Sequence, residues 1–108
     1  GKSNLWRINL DGKNLTQLTN GEADAYPNCT NDSQSVVFQR GILSQPHLWR
    51  VPIKGGEPRQ ITDFRAKWGA VSTDGNRISF FQMVDNRWKI GIISSNGGDI
   101  LQRMDIPE

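Results

Sequence analysis

Apolar and polar residues alternate along this chain in short runs. Trp6, Ile8 and Leu10 are separated by Arg7 and Asn9, and Trp49, Val51 and Ile53 repeat the pattern around Arg50. A two-residue period is that of a strand with one face buried. Asp11-Gly12 and Gly55-Gly56 follow at once, and both pairs favour hairpin turns. Further short strands are predicted at 15–19 and 58–62, at Tyr26–Thr30 and Trp68–Ser72, and at Val36–Arg40 and Arg77–Met83. Asn31-Asp32-Ser33 and Thr73-Asp74-Gly75 supply the turns between the last two sets. Helical spacing is absent, and five prolines and eleven glycines oppose long helices. The expected class is all-β.

The pattern repeats. Leu5-Trp6-Arg7-Ile8 returns as Leu48-Trp49-Arg50-Val51, a step of 43 residues. Gln17-Leu18-Thr19 returns as Gln60-Ile61-Thr62 at the same step. Asn31-Asp32-Ser33 through Phe38 returns as Thr73-Asp74-Gly75 through Phe80, 42 residues on. A weaker third copy runs from Trp88 through Gly97-Gly98 to Gln102. In it, Trp88 lies three residues further from its glycine pair than Trp49 does, and counting back from Gly97 puts Ile90-Gly91 in the Leu-Trp place. Four short strands every 42–43 residues, joined by tight turns, describe a blade of a β-propeller.

These segments resemble the WD40-like repeats of TolB-type β-propellers. Pro27 to Ser33 and Gly69 to Gly75 fill the Pro-x-Trp-Ser-Pro-Asp-Gly part of that pattern, and Val36-Val37-Phe38 and Ile78-Ser79-Phe80 fill its Ile-Ala-Phe part. Gln17-Leu18-Thr19 and Arg59-Gln60-Ile61-Thr62 fill its Arg-Gln-Leu-Thr part. Ser33 departs from the turn glycine, and Cys29 and Val71 from a common Trp. The resemblance implies four-stranded antiparallel blades, with the Pro-x-Trp-Ser strand innermost and the Arg-Gln-Leu-Thr strand outermost. It divides the chain into an outer half-blade at 1–20 and full blades at 24–62 and 66–104. About two and a half blades cannot close a ring of the six or more that the family implies. The expectation is therefore a propeller fragment of a larger bacterial protein, or a chain that self-associates through its open blade edges.

The resemblance also shapes the functional expectation. TolB-like propellers imply a noncatalytic binding module in the bacterial periplasm or another extracytoplasmic place. Its partner, a protein or small ligand, would sit at the channel mouth. Similar repeats fused to kinases and winged-helix regulators imply a sensor role. Those preceding prolyl-oligopeptidase-like or tricorn-like catalytic domains imply substrate gating.

Composition adds exclusions. Thirteen Lys and Arg against eleven Asp and Glu are scattered without a basic run, so no nucleic-acid tail is expected. No apolar run reaches the roughly 18 residues of a membrane span. One Cys and one His cannot build a usual zinc site within one chain, and no cofactor motif is present.

The candidate residues follow from the repeat. Tyr26 and Trp68 share a place at the axial end of the inner strand, where exposed aromatics anchor partners. Asp24 lies at the start of that strand, two residues from Glu22, but its equivalent is Ala66. Asp24, Tyr26 and Trp68 are the candidate partner-binding residues; no residue is assigned a catalytic role. Trp6, Trp49 and Trp88 are expected in the core. Cys29 is expected to be buried and inert, and His47 to be a solvated surface residue. Asp32 and Asp74 are expected to hydrogen-bond their own turns and not a metal.

Overall fold

A computed structural model describes residues 2–41 and 45–106. It contains ten strands among the described residues. Strands β1 (Trp6–Arg7) and β2 (Thr16–Gln17) form a small antiparallel sheet. Strands β3 (Asp24–Cys29), β4 (Ser35–Arg40), β5 (His47–Pro52) and β6 (Arg59–Gln60) form a second, ordered 3-4-5-6. Strands β7 (Lys67–Val71), β8 (Arg77–Val84), β9 (Arg87–Ser94) and β10 (Gln102–Asp105) form a third in the same meander. All pairings within the three sheets are antiparallel, and β3 and β7 are edge strands, as are β6 and β10.

The sheets stack face to face. Strand β4 is buried from Val36 to Gln39 because both of its faces are covered. Val36 and Phe38 pack with Val51 against Leu5 and Leu18. Val37 points the other way and packs with Leu48 against Ile78, Phe80 and Ile93 of the third sheet. Burying side chains of this size stabilises by about 1.5–3 kcal/mol each.

The recurring Leu-Trp and Gln-x-Thr motifs have one structural cause. The Leu48 N–H donates to the Thr62 hydroxyl (3.1 Å), and the Gln60 side-chain amide donates to the Thr62 carbonyl (2.6 Å). The same pair of bonds joins Leu5 to Thr19 (3.0 Å) and Gln17 to Thr19 (2.6 Å). Both threonines are buried. Two-residue strands make few ladder bonds, and this clamp holds each of them to its neighbour. The third sheet lacks it: Asp105 stands in the Thr62 register place and pairs with Lys89 instead.

The Asp turns are equally regular. Asp32 accepts from the Thr30 hydroxyl (2.6 Å) and the Gln34 N–H (3.0 Å), and Asp74 accepts from Ser72 (2.6 Å) and the Asn76 N–H (2.9 Å). These bonds, led by the hydroxyl, hold both carboxyls below the usual carboxylate range. The hydrogen-bonded turn expected for both aspartates is present.

Four expectations are corrected. The strand expected to run from Trp6 to Leu10 stops at Arg7, because Asn9 and Lys13 already close the Asp11-Gly12 turn (3.0 Å). Ile8 and Leu10 are therefore exposed. Trp6 is 54% exposed instead of core, since among the described residues no strand flanks β1 on its free side. Trp49 lies partly buried opposite Phe38, with the Arg40 guanidinium 4.5 Å from its ring. Trp88 is also exposed, on a β8–β9 hairpin longer than β4–β5. Cys29 is exposed at the end of an edge strand.

The Ile90-Gly91 count is right: Gly91 pairs with Phe80 as Trp49 pairs with Phe38. Three register places change together between the sheets. Asp24, Arg40 and Trp49 of the second sheet become Ala66, Gln82 and Gly91 of the third. The ion pair and the tryptophan stacked on it are exchanged as a unit.

Candidate functional site

Each inner strand contains a bulge at one repeated place. Tyr26 and Pro27 together oppose Phe38, and Trp68 and Gly69 together oppose Phe80. Both aromatics have left-handed backbones, with φ of 53° at Tyr26 and 53° at Trp68. That conformation costs a bulky residue about 1–3 kcal/mol and persists only where the surroundings enforce it. The bulge turns both rings outward, leaving Tyr26 48% and Trp68 42% exposed.

The surroundings that enforce it can be named. A bulge frees a backbone donor, and the Trp68 N–H is satisfied by the Gln39 side-chain oxygen (3.0 Å). Gln39 is buried, and its amide donates to the Gly41 carbonyl (3.0 Å). Asn28 accepts from the Val71 N–H (3.4 Å) lower on the same strand. Gly69 lies where a Cβ would meet Leu48 at 3.1 Å, so the third sheet approaches the second closely beside the bulge.

Asp24 takes a different role. Its carboxylate is fully enclosed and pairs in two places with Arg40 (Nε to Oδ1 2.8 Å, Nη2 to Oδ2 3.1 Å). Gly21 roofs the pair, since a Cβ there would come within 2.8 Å of the carboxylate. Glu22 is exposed, so the two acids do not share a site. Any influence of Asp24 on a partner acts through Arg40, which is partly exposed and lies over Trp49 and Phe38. His47 is half-buried, and its Nδ1 lies 2.8 Å from the Gln45 carbonyl.

Around Trp68 the structure gathers residues that sequence reasoning missed. The Trp68 ring lies edge-on to Phe81 (5.5 Å) and beside Trp88 (5.6 Å). The Lys67 ammonium is 5.5 Å from both the Trp68 and the Trp88 rings. Met83 pairs with Trp88 across the hairpin. The overlooked signal is Asp85-Asn86, whose φ values of 52° and 63° make a two-residue primed turn. That turn sets Met83 opposite Trp88 and carries both beyond the core.

The stacked four-stranded meanders with bulged edge strands define a β-propeller architecture, represented here by two four-stranded sheets beside a two-stranded one. The particular likeness is to TolB. The structure of TolB from Acinetobacter baumannii matches with a TM-score of 0.75 at 21% identity, over 93% of this chain and 26% of that one. A putative TolB from Agrobacterium tumefaciens matches with 0.69 at 18%, over 94% and 42%. The β-propeller domain of the Trilobed protease from Pyrococcus furiosus matches with 0.70 at 12%, over 94% and 34%. The chain thus spans less than half of each of these proteins. No family model and no curated protein sequence matches it. The fold is that of a TolB-like propeller segment.

Proposed function

We propose that this chain is a noncatalytic interaction module of a larger bacterial protein, a sensor propeller that binds its partner at the end where Tyr26 and Trp68 stand. One observation carries the reading: two large aromatics are held exposed, in a costly conformation, at the same place in adjacent blades. Backbone strain kept twice points to a use for the side chains it presents. Exposed Tyr and Trp on rigid strands lose little entropy on contact, which suits them to anchor a partner. The TolB-like fold supports an interaction role by analogy.

The test is affinity capture with the complete propeller, comparing the parent with Tyr26→Ala and Trp68→Ala. Weakening of capture by roughly five- to 150-fold is expected, as for anchor residues worth about 1–3 kcal/mol. Unchanged capture by both variants overturns the proposal. A second reading, a substrate-gating propeller of a peptidase, is favoured by the match to the Trilobed protease propeller. A Gly-x-Ser-x-Gly nucleophile domain in the same polypeptide would select it.

A further inference from the structure

The second and third sheets are built on one register but present different surfaces at the hairpin end. In the second sheet, Ala25 and Gln39 form a register pair, and Gln39 receives the Trp68 N–H of the next sheet. The equivalent pair in the third sheet is Lys67 and Phe81. Phe81 has no acceptor and cannot receive a bulge as Gln39 does. Trp88 and Met83 extend the same apolar surface.

An open cleft of about 450 Å³ lies here, lined by Arg65, Lys67, Phe81, Met83 and Trp88 with the 45–46 segment. Its charged lining is two cations and no carboxylate. Among the described residues the ion pairs are Asp24–Arg40 and Lys89–Asp105, so neither Arg65 nor Lys67 has a carboxylate partner. An unpaired cation held over tryptophan rings is weakly hydrated on that side and well placed to meet an anion.

We infer that this cleft binds an acidic peptide segment, with a carboxylate on Lys67 and Arg65 and a neighbouring apolar side chain against Trp88, Met83 and Phe81. The inference rests on the proposed interaction role and names the chemistry of the partner. The cleft accommodates one or two side chains. Charge decides which segment enters, and the aromatic surface holds it.

The experiment uses three fluorescein-labelled peptides: Glu-Leu-Glu-Phe-Glu, its Gln-for-Glu counterpart and its Lys-for-Glu counterpart. Binding is followed by anisotropy at low and high salt. The acidic peptide is expected to bind about tenfold or more tighter than the neutral one, with salt erasing the difference. Lys67→Glu and Arg65→Glu should each remove that preference, and Trp88→Ala should weaken both the acidic and the neutral peptide. Circular dichroism confirms that each variant is folded; Arg65, on an exposed loop, provides the second variant should Lys67→Glu unfold. Equal binding of acidic and neutral peptides, no binding of the acidic one, or indifference to both charge reversals overturns the inference. In that event a partner still lost with Tyr26→Ala and Trp68→Ala leaves the interaction role standing. If those two variants keep the partner while the acidic preference persists, it is the interaction role that fails.

Discussion

Gly91 gives the sharpest test of how the repeats are built. It is buried, sits opposite Phe80, and is not in the left-handed region. On backbone grounds alone Gly91→Ala should stabilise a strand by about 0.5–1 kcal/mol. The packing says the opposite. A Cβ on Gly91 would lie 2.3 Å from Cζ, 2.7 Å from Cε2 and 3.0 Å from Cε1 of Phe80. Carbon atoms in contact sit about 3.5–4.0 Å apart, so the ring must move by more than ~1 Å. Phe80 is wholly buried and leans on Phe64 at 5.4 Å, which leaves it little room. Overpacking of this kind costs about 1–3 kcal/mol, so the variant should lose roughly 5 °C or more in Tm. The assay is denaturant unfolding followed by tryptophan fluorescence, at fixed protein concentration. Phe80→Leu removes the obstructing ring edge, so Gly91→Ala in that background should be neutral or stabilising. Coupling of about 1 kcal/mol or more between the two sites is expected. A Gly91→Ala protein as stable as the parent, or more so, would refute this account of the glycine in the tryptophan place.

Other consequences are measurable. Thr62→Val removes the acceptor of the buried Leu48 N–H and should cost about 1–3 kcal/mol in denaturant unfolding, whereas Thr16→Val, at a half-buried position whose hydroxyl bonds only the exposed Asn14 carbonyl, should cost less. Arg40→Gln leaves the Asp24 carboxylate enclosed without its partner and should cost about 3 kcal/mol, checked by the same assay; Asp24→Ala with Arg40→Gln, which copies the third sheet, should recover part of it. Asp32 and Asp74 have folded-state pKa values below their unfolded ones, so the stability they add is complete above the ordinary carboxylate range and is lost as pH falls through the depressed values. Thermal melts across pH should thus fall below about pH 4, and Asp74→Asn should lower Tm at neutral pH while flattening the acid limb. The 108-residue chain alone exposes Trp6, Ile8, Leu10 and Leu15 beside a two-stranded sheet, and sedimentation velocity should show self-association; a monomer at high concentration would contradict it.

The fold was legible because its signals are local and repeated. The Asp turns and the Gln-x-Thr clamp each follow from a few neighbouring residues, and each occurs twice. Tyr26 and Trp68 were singled out for the same reason. Burial was legible only where the flanking strand exists. Trp6 and Trp49 occupy one sequence place, yet only Trp49 has Phe38 and Arg40 beside it.

What the repeat hid was its own exception. Aligning copies by their tryptophans makes Trp88 a core residue; aligning them by glycine makes Gly91 the core position and frees Trp88 for the surface. Strand pairing decides for the glycine, because Phe80 occupies the space a side chain would need. The tryptophan missing from the core then reappears three residues earlier, beside Trp68 and Lys67. The third sheet has exchanged an ion pair roofed by an aromatic ring for a plain core and an aromatic, cationic rim. Stability alone does not require that exchange, since the second sheet shows that the buried arrangement fits the same backbone register. The part of the repeat that departs from its pattern is therefore the part to examine for function.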